Sequence, residues 1–452
     1  MAVVLPVETP SLGDRSYLVH DGEAAMVIDP QRDIDRVTAL AEAEGVRITH
    51  VAETHMHNDY LTGGLALARA TGASYLVSAA DPVRFGRTPV GDGDEIPIGG
   101  LRLRVVATPG HTFSHLSYVL AADGVVTGVF TGGSLLYGST GRTDLLGPEH
   151  TEALTRAQHA SAQRLARELP ADTAIYPTHG FGSFCSATQA DTDSSTIGQE
   201  RRRNPVLTLD EQAYVDSLLA GLDAWPAYYA HMGPANLAGP GAPDLSDPEP
   251  ADPATLRRRI GAGEWVIDLR DRTVFAAGYL PGSLSFPLDG NFPTYLGWVL
   301  PWGTPVTLLG ASREQIRQAQ RELVRIGIDR PAGAATGEPS EWGGGRPLAT
   351  LRRATFPELA AAAGSNGLVV LDVRRRLEWT ESHIAGALHI PLHELPGRLA
   401  EIPPGQVWVH CGAGYRAMAA ASMLAVAGRQ VVSVDDDFQN AAGAGLRLVP
   451  AD

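Results

Sequence analysis

The sequence predicts an α/β protein of about three domains in series, and three observations carry that reading. The chain has 452 residues, against roughly 150 per domain. Up to about residue 175, short β-rich runs alternate with helical patterns, which is the signature of a sheet covered by helices. Further on, two stretches repeat each other at one fixed offset.

The elements follow in order. Strands are expected at 16–20, 25–29, 48–54, 101–108, 116–120 and 125–131, where β-branched and apolar residues cluster between turn residues. Helices are expected near 34–44, 61–71 and 151–168, and again over 210–222. Residues 233–253 are rich in Pro, Gly, Ala and Asp and read as a linker, giving a first domain at 1–231 and a linker at 232–253. Beyond it, Asp268, Gly282 and Pro287 return as Asp372, Gly386 and Pro391 within matching strings, each displaced by 104 positions, so two copies of one domain are expected at 254–347 and 353–452.

Composition narrows the class. Lys and Arg total 36 against 51 Asp and Glu, a net charge of −15 that repels a phosphate backbone. The triplets Arg201 to Arg203 and Arg257 to Arg259 sit beside apolar residues and read as solvated helix faces, so no nucleic-acid partner is expected. Apolar runs end well short of the ~20 residues that cross a bilayer, and the first residues carry no basic leader, so no membrane partner is expected either. Cys185 and Cys411 are the two cysteines, too few for a disulfide framework, which favours a cytoplasmic protein. A homo-oligomer stays open.

Candidate chemistry clusters at strand ends. His55, His57 and Asp59 fall within five residues of one another, just before Gly63 and Gly64, and such a density of imidazole and carboxylate donors suits a first-row metal. His111 follows Thr108-Pro109-Gly110, and His179 follows Pro177-Thr178. With Gly141-Arg142-Thr143-Asp144, these segments make the first domain resemble the metallo-β-lactamase superfamily, within it the glyoxalase II and persulfide dioxygenase branch. The resemblance implies an αββα sandwich, a first metal site of His55, His57 and His111, and a second of Asp59 and His179. Two positions depart from the family pattern: Tyr60 stands for a histidine, and Gly133 stands for the bridging aspartate. Loss of two donors disfavours a binuclear hydrolase and leaves one ion, Fe(II) first and Zn(II) as the alternative, which survives loss of His179 and gains from an aspartate at 133.

The last copy carries a thiol. Residues 407–410 read as a buried strand, Cys411-Gly412-Ala413-Gly414-Tyr415-Arg416 as a tight loop, and 417–427 as a helix. Loop N–H groups, the helix N-terminus and Arg416 would together stabilise a sulfur anion. This copy looks like a rhodanese domain with Cys411 as sulfur carrier, so the whole chain reads as an αββα sandwich followed by two rhodanese-like α/β domains with parallel sheets. The earlier copy has no cysteine and reads as a docking or structural module. Cys185, six residues after His179, is placed either in packing or at the metal edge.

Joining the two resemblances implies a persulfide dioxygenase fused to a sulfurtransferase. Its expected partners are a low-molecular-weight thiol persulfide and sulfite or thiosulfate. The alternatives are a zinc thioester hydrolase fused to a rhodanese, and a non-enzymatic sulfur relay with a vestigial metal site.

Overall fold

Strands whose odd and even residues are both apolar must be buried on both faces, and the centre of the first sheet is built from such strands. In the computed structural model, which describes residues 2–187, 192–364 and 367–450, the chain forms two compact units. The expected domain limits at residues 1 and 452 lie outside the described residues.

The first unit comprises Met1–Asp244 with Val324–Gly327. Its first sheet is β1 (Val3–Thr9), β2 (Asp14–His20), β3 (Ala24–Ile28), β4 (Arg47–Ala52), β5 (Ser74–Ser78) and β6 (Thr88–Val90), paired in that order, antiparallel as far as β3 and parallel beyond it. Its second sheet holds β7 (Glu95–Ile98), β8 (Leu101–Ala107), β9 (Leu116–Ala122), β10 (Val125–Gly132) and β11 (Ala174–Pro177), in the order β11-β10-β9-β8-β7. The period of two sorts their side chains. Tyr17, Val19, Met26 and Ile28 meet Val105, Tyr118 and Phe130 between the sheets. Leu18, Ala25 and Val27 point the other way, towards the helices Asp35–Glu44 and Gly64–Thr71. Val106 and Val129 face the helix Pro148–Glu168. The result is the expected αββα sandwich. β1, β5, β6, β7 and β11 carry too short or too mixed an apolar pattern to be read in advance.

One expectation fails here. Part of the stretch read as a linker from residue 232 belongs to a helix, Tyr229–Ala238, in spite of Pro234. Tertiary anchoring overrides composition: Met232 and Asn236 are fully buried. The Asn236 amide donates to the carbonyls of His57 and Tyr60, both at 2.8 Å, and its oxygen accepts from the Thr62 N–H at 3.0 Å. The helix therefore clamps the histidine loop.

In the second unit, β12 (Trp265–Asp268), β13 (Leu284–Ser285), β14 (Val306–Gly310) and β15 (Gly333–Thr336) make a parallel sheet ordered β13-β12-β14-β15. Next come β16 (Arg352–Ala354), β17 (Leu368–Asp372), β18 (His383–Ile384), β19 (Leu388–His389), β20 (Gln406–His410), β21 (Val431–Val434) and β22 (Leu448–Val449). The sheet β16-β21-β20-β17-β19 is parallel, and reading β19, β17, β20, β21 against β13, β12, β14, β15 gives the same order twice. The duplicated Asp-x-Arg also repeats in space. Arg270 grips Asp268 and donates to the Gly278 carbonyl, and Arg374 grips Asp372 and donates to the Ser382 carbonyl. No helix among the described residues is long and apolar enough to cross a membrane.

Candidate functional site

β4 ends at Ala52, and the chain turns at Thr54 to deliver His55, His57 and Asp59 to the open edge between the two sheets. Asp29, at the end of β3 with φ 52°, shapes that turn: its carboxylate accepts from the Thr54 N–H and hydroxyl, each at 2.7 Å, and from the Thr178 hydroxyl. His111 arrives from the loop after β8, and His179 from the loop after β11. All are fully buried or nearly so.

Three donor groups converge there, each with its ligand atoms within 4.8 Å of one another: His55, His111 and His179; His57, Asp59 and His179; and Asp29, Glu53 and His57. The expected trio of His55, His57 and His111 is not one of these groups; His179, expected at a second site, joins His55 and His111 in the first. His57 belongs to the other two groups, and its Nδ1 is buried with no hydrogen-bond partner. Nε2 of His57 is turned to Tyr60 at 3.0 Å and to the carboxylates of Asp29 and Glu53 at 3.3 Å. Burial opposes a charge on that ring, but the two carboxylates outweigh it and raise its pKa to about 9.

His55, His111 and His179, in contrast, each engage Nδ1 elsewhere. Nδ1 of His55 meets the Thr54 hydroxyl at 2.9 Å, that of His111 the Arg142 carbonyl at 2.6 Å, and that of His179 the Asp14 carboxylate at 2.8 Å with Asp59 at 3.2 Å. Nε2 of His55 and His179 then lie 3.4 Å apart, and Nε2 of His111 is buried with no hydrogen-bond partner. Burial holds His111 neutral, down to about 3, and burial with the neighbouring rings does the same for His55. Burial opposes a charge on His179 as well, but Asp59 and Asp14 outweigh it and raise its pKa well above the ordinary histidine value. An imidazole anchored through one ring nitrogen and left open at the other is metal-ligand geometry, and an orphaned buried Nε2 is what an ion would satisfy. The residues present fit a metal ion. Asp14, which sequence reasoning missed, supports His179; burial and the charge on Asp59 raise its pKa to about 8.

The glycines at the end of β10 account for the missing bridging carboxylate. A Cβ on Gly133 would overlap Cδ2 and Cγ of His111, and Gly132, at φ 51°, would drive one into Thr54 and His115. The Gly133 N–H donates to Nε2 of His115 at 3.0 Å. Imidazoles therefore border this space, and an aspartate at 133, expected to complete the ligand set, would require the His111 ring to shift. His115, four residues after His111, stacks on His55 at 5.0 Å and was also missed, although its spacing was visible.

Cys185 is buried beside the same carboxylates. Burial pushes its thiol up, and the charges on Asp59 and Asp14 push it further, which disfavours a reactive role.

In the second unit, Cys411 closes β20 and precedes the helix Tyr415–Val426. The Gly414 N–H donates to its Sγ at 3.1 Å. Gly414 has φ 93°, a conformation that favours glycine, and Gly412, Ala413 and Tyr415 complete the turn. Arg416 departs from its expected role: rather than lying free in a solvated loop, it is largely buried and forks onto Glu378 at 2.6 and 2.7 Å. No local pattern links residues 38 positions apart, so this pairing is visible only in the fold.

The Metallo-beta-lactamase superfamily matches residues 15–179, and the Rhodanese-like domain matches residues 355–443. The chain is 31% identical over 204 residues to the persulfide dioxygenase ETHE1, mitochondrial, of Homo sapiens, covering 44% of this chain and 74% of that protein. It is 30% identical over 209 residues to a hydroxyacylglutathione hydrolase of Pseudomonas entomophila (strain L48), covering 41% of this chain and 77% of that protein. Among solved structures, a metallo-beta-lactamase from Staphylococcus aureus subsp. aureus COL superposes with a TM-score of 0.67 at 28% identity, covering 75% of this chain and 99% of that one. These relatives and the rhodanese-like match support an enzyme of sulfur metabolism, and the histidine cluster supports a metal cofactor. The chain belongs to the metallo-beta-lactamase superfamily and carries a rhodanese-like domain over residues 355–443.

Proposed function

We propose that the chain is a mononuclear persulfide dioxygenase coupled to a sulfurtransferase, taking a low-molecular-weight thiol persulfide at the first unit and sulfite or thiosulfate at the second. The observation that carries the first half is the set of three imidazoles with Nδ1 engaged and Nε2 turned to one space. His55, His111 and His179 would hold the ion, and an Fe(II) bound there supplies oxygen activation for oxidising the terminal sulfur to sulfite. Asp14 and Asp59 keep the Nδ1 proton of His179 in place, and the Arg142 carbonyl does so for His111, so each ring is oriented through its far side. The close approach of His111 to Gly133 supports a site without the bridging carboxylate that a two-metal thioester hydrolase requires.

In the second half, Cys411 as its thiolate attacks the outer sulfur of thiosulfate. The S–S bond breaks with its electron pair leaving on sulfite, and Cys411 keeps the sulfur as a persulfide anion. The Gly414 N–H and the N-terminus of the helix behind it face that charge. The earlier, cysteine-less copy is read as a rhodanese-like module that carries no sulfur itself.

The test is metal analysis of protein purified without added metal, together with oxygen uptake on glutathione persulfide. About one Fe per chain with persulfide-dependent uptake is expected. Two Zn per chain with thioester hydrolysis, or no bound metal, would overturn the dioxygenase half.

A further inference from the structure

The cysteine-less copy reaches the thiol loop of the other copy. Tyr415 donates to the Pro287 carbonyl at 3.3 Å, the Ser285 N–H donates to the Ser422 hydroxyl at 3.1 Å, and the rings of Tyr295 and Tyr415 lie 5.4 Å apart. At the centre of this contact is Arg272, on the helix Arg272–Ala277 of the cysteine-less copy. Its Nε donates to Asp435 at 2.8 Å, and the other oxygen of Asp435 binds Arg353 at 2.7 Å. A Cβ on Gly414 would fall on the Asp435 carboxylate and 3.1 Å from Nε of Arg272, so the guanidinium is clamped against the residue whose N–H holds the Cys411 sulfur. The Arg272 charge lies within electrostatic reach of the thiol.

The two arginines near the loop differ in what they have left to give. Arg416 is committed to Glu378 through both terminal nitrogens. Arg272 uses only Nε; among the described residues, neither of its terminal nitrogens has a hydrogen-bond acceptor, and its side chain is 31% exposed. A thiosulfate or sulfite dianion approaching Cys411 needs a cation with free donors, and a guanidinium with two unused N–H edges suits an oxyanion.

We propose that Arg272, contributed by the cysteine-less copy, binds the sulfonate oxygens of the thiosulfate or sulfite that exchanges sulfur with Cys411, with Asp435 as the residue that positions it. The cysteine-less copy then supplies half of the transfer site. This rests on the sulfurtransferase reading above, and the test separates the two.

Alkylation of Cys411, followed by mass spectrometry of its peptide in the full-length protein, is run with iodoacetate and with iodoacetamide, which differ by one negative charge. In Arg272→Gln the ratio of iodoacetate to iodoacetamide rates should fall about fivefold from wild type, with Arg272→Lys in between, since these are point-charge effects at a partly solvated site. In thiosulfate:cyanide assays, Arg272→Gln should raise the KM for thiosulfate about tenfold, with a smaller change in kcat. Asp435→Asn should raise the KM for thiosulfate part of the way, through loss of the contact that positions Arg272. An unchanged alkylation ratio in a folded Arg272→Gln protein overturns the proposal even where sulfurtransferase activity is present. A lowered ratio with no sulfurtransferase activity in wild type would keep Arg272 as the anion-binding group and sink the thiosulfate reading alone.

Discussion

Arg416 shows how far one residue's role depends on what it touches. A free guanidinium in a solvated loop could be removed at little cost to the fold, whereas one forked onto a partly buried glutamate cannot. Arg416→Ala should destabilise the second unit by about 1–3 kcal/mol, because it strands the Glu378 carboxylate. Burial alone would raise the Glu378 pKa, but Arg416 outweighs it and lowers it to about 2. The folded value lies below the ordinary glutamate value of ~4.3, so this stabilisation is complete above that pH and is lost as pH falls towards 2. Thermal melts of wild type and Glu378→Gln between pH 2 and 6 should converge at the acid end; parallel curves would remove the pair from the stability account. The two thiols separate at the same scale. Cys411→Ser should abolish thiosulfate:cyanide transfer, and Cys185→Ser should keep most of it, because Cys185 is buried beside carboxylates that push its thiol up. Equal losses in the two variants would show that the sulfur carrier is misplaced.

At the scale of elements, the end of β10 and the loop after β11 decide the metal site together. Because His111 packs on Gly133 and His179 joins His55 and His111, substitutions here should act opposite to a pattern-based expectation. His179→Ala should lose the metal along with His111→Ala, and Gly133→Asp should lower metal content instead of raising it, since its side chain displaces the His111 ring. Metal content per folded chain, with circular dichroism to confirm the fold, checks all three. Iron retained in His179→Ala would return the third ligand to His57.

Across the whole molecule, the metal cluster and the thiol loop belong to different compact units, each with its own buried cluster of apolar residues. Removing metal with a chelator should therefore abolish oxygen uptake and leave thiosulfate:cyanide transfer within about twofold of the untreated protein. Parallel loss of both activities would mean that the sites depend on one another.

Local pattern was enough for much of this. Consecutive apolar residues in β2, β3 and β10 bury both faces of a strand and so announce a covered sheet. A repeat at 104 positions announces a duplicated parallel sheet, because equal strings at equal spacing fold alike. Histidines at strand ends and a Gly-rich loop around Cys411 mark where chemistry sits, since strand ends and tight turns leave side chains and N–H groups unspent. Partnership was decided only in three dimensions. Asp14 against His179, Asn236 under the histidine loop, Glu378 on Arg416 and Arg272 beside Gly414 are each separated by between 38 and 179 positions. Nothing in a sequence window can couple such residues. Which nitrogen of a histidine is left to bind, and which arginine keeps free donors, follows from those contacts and from the space that surrounding atoms leave.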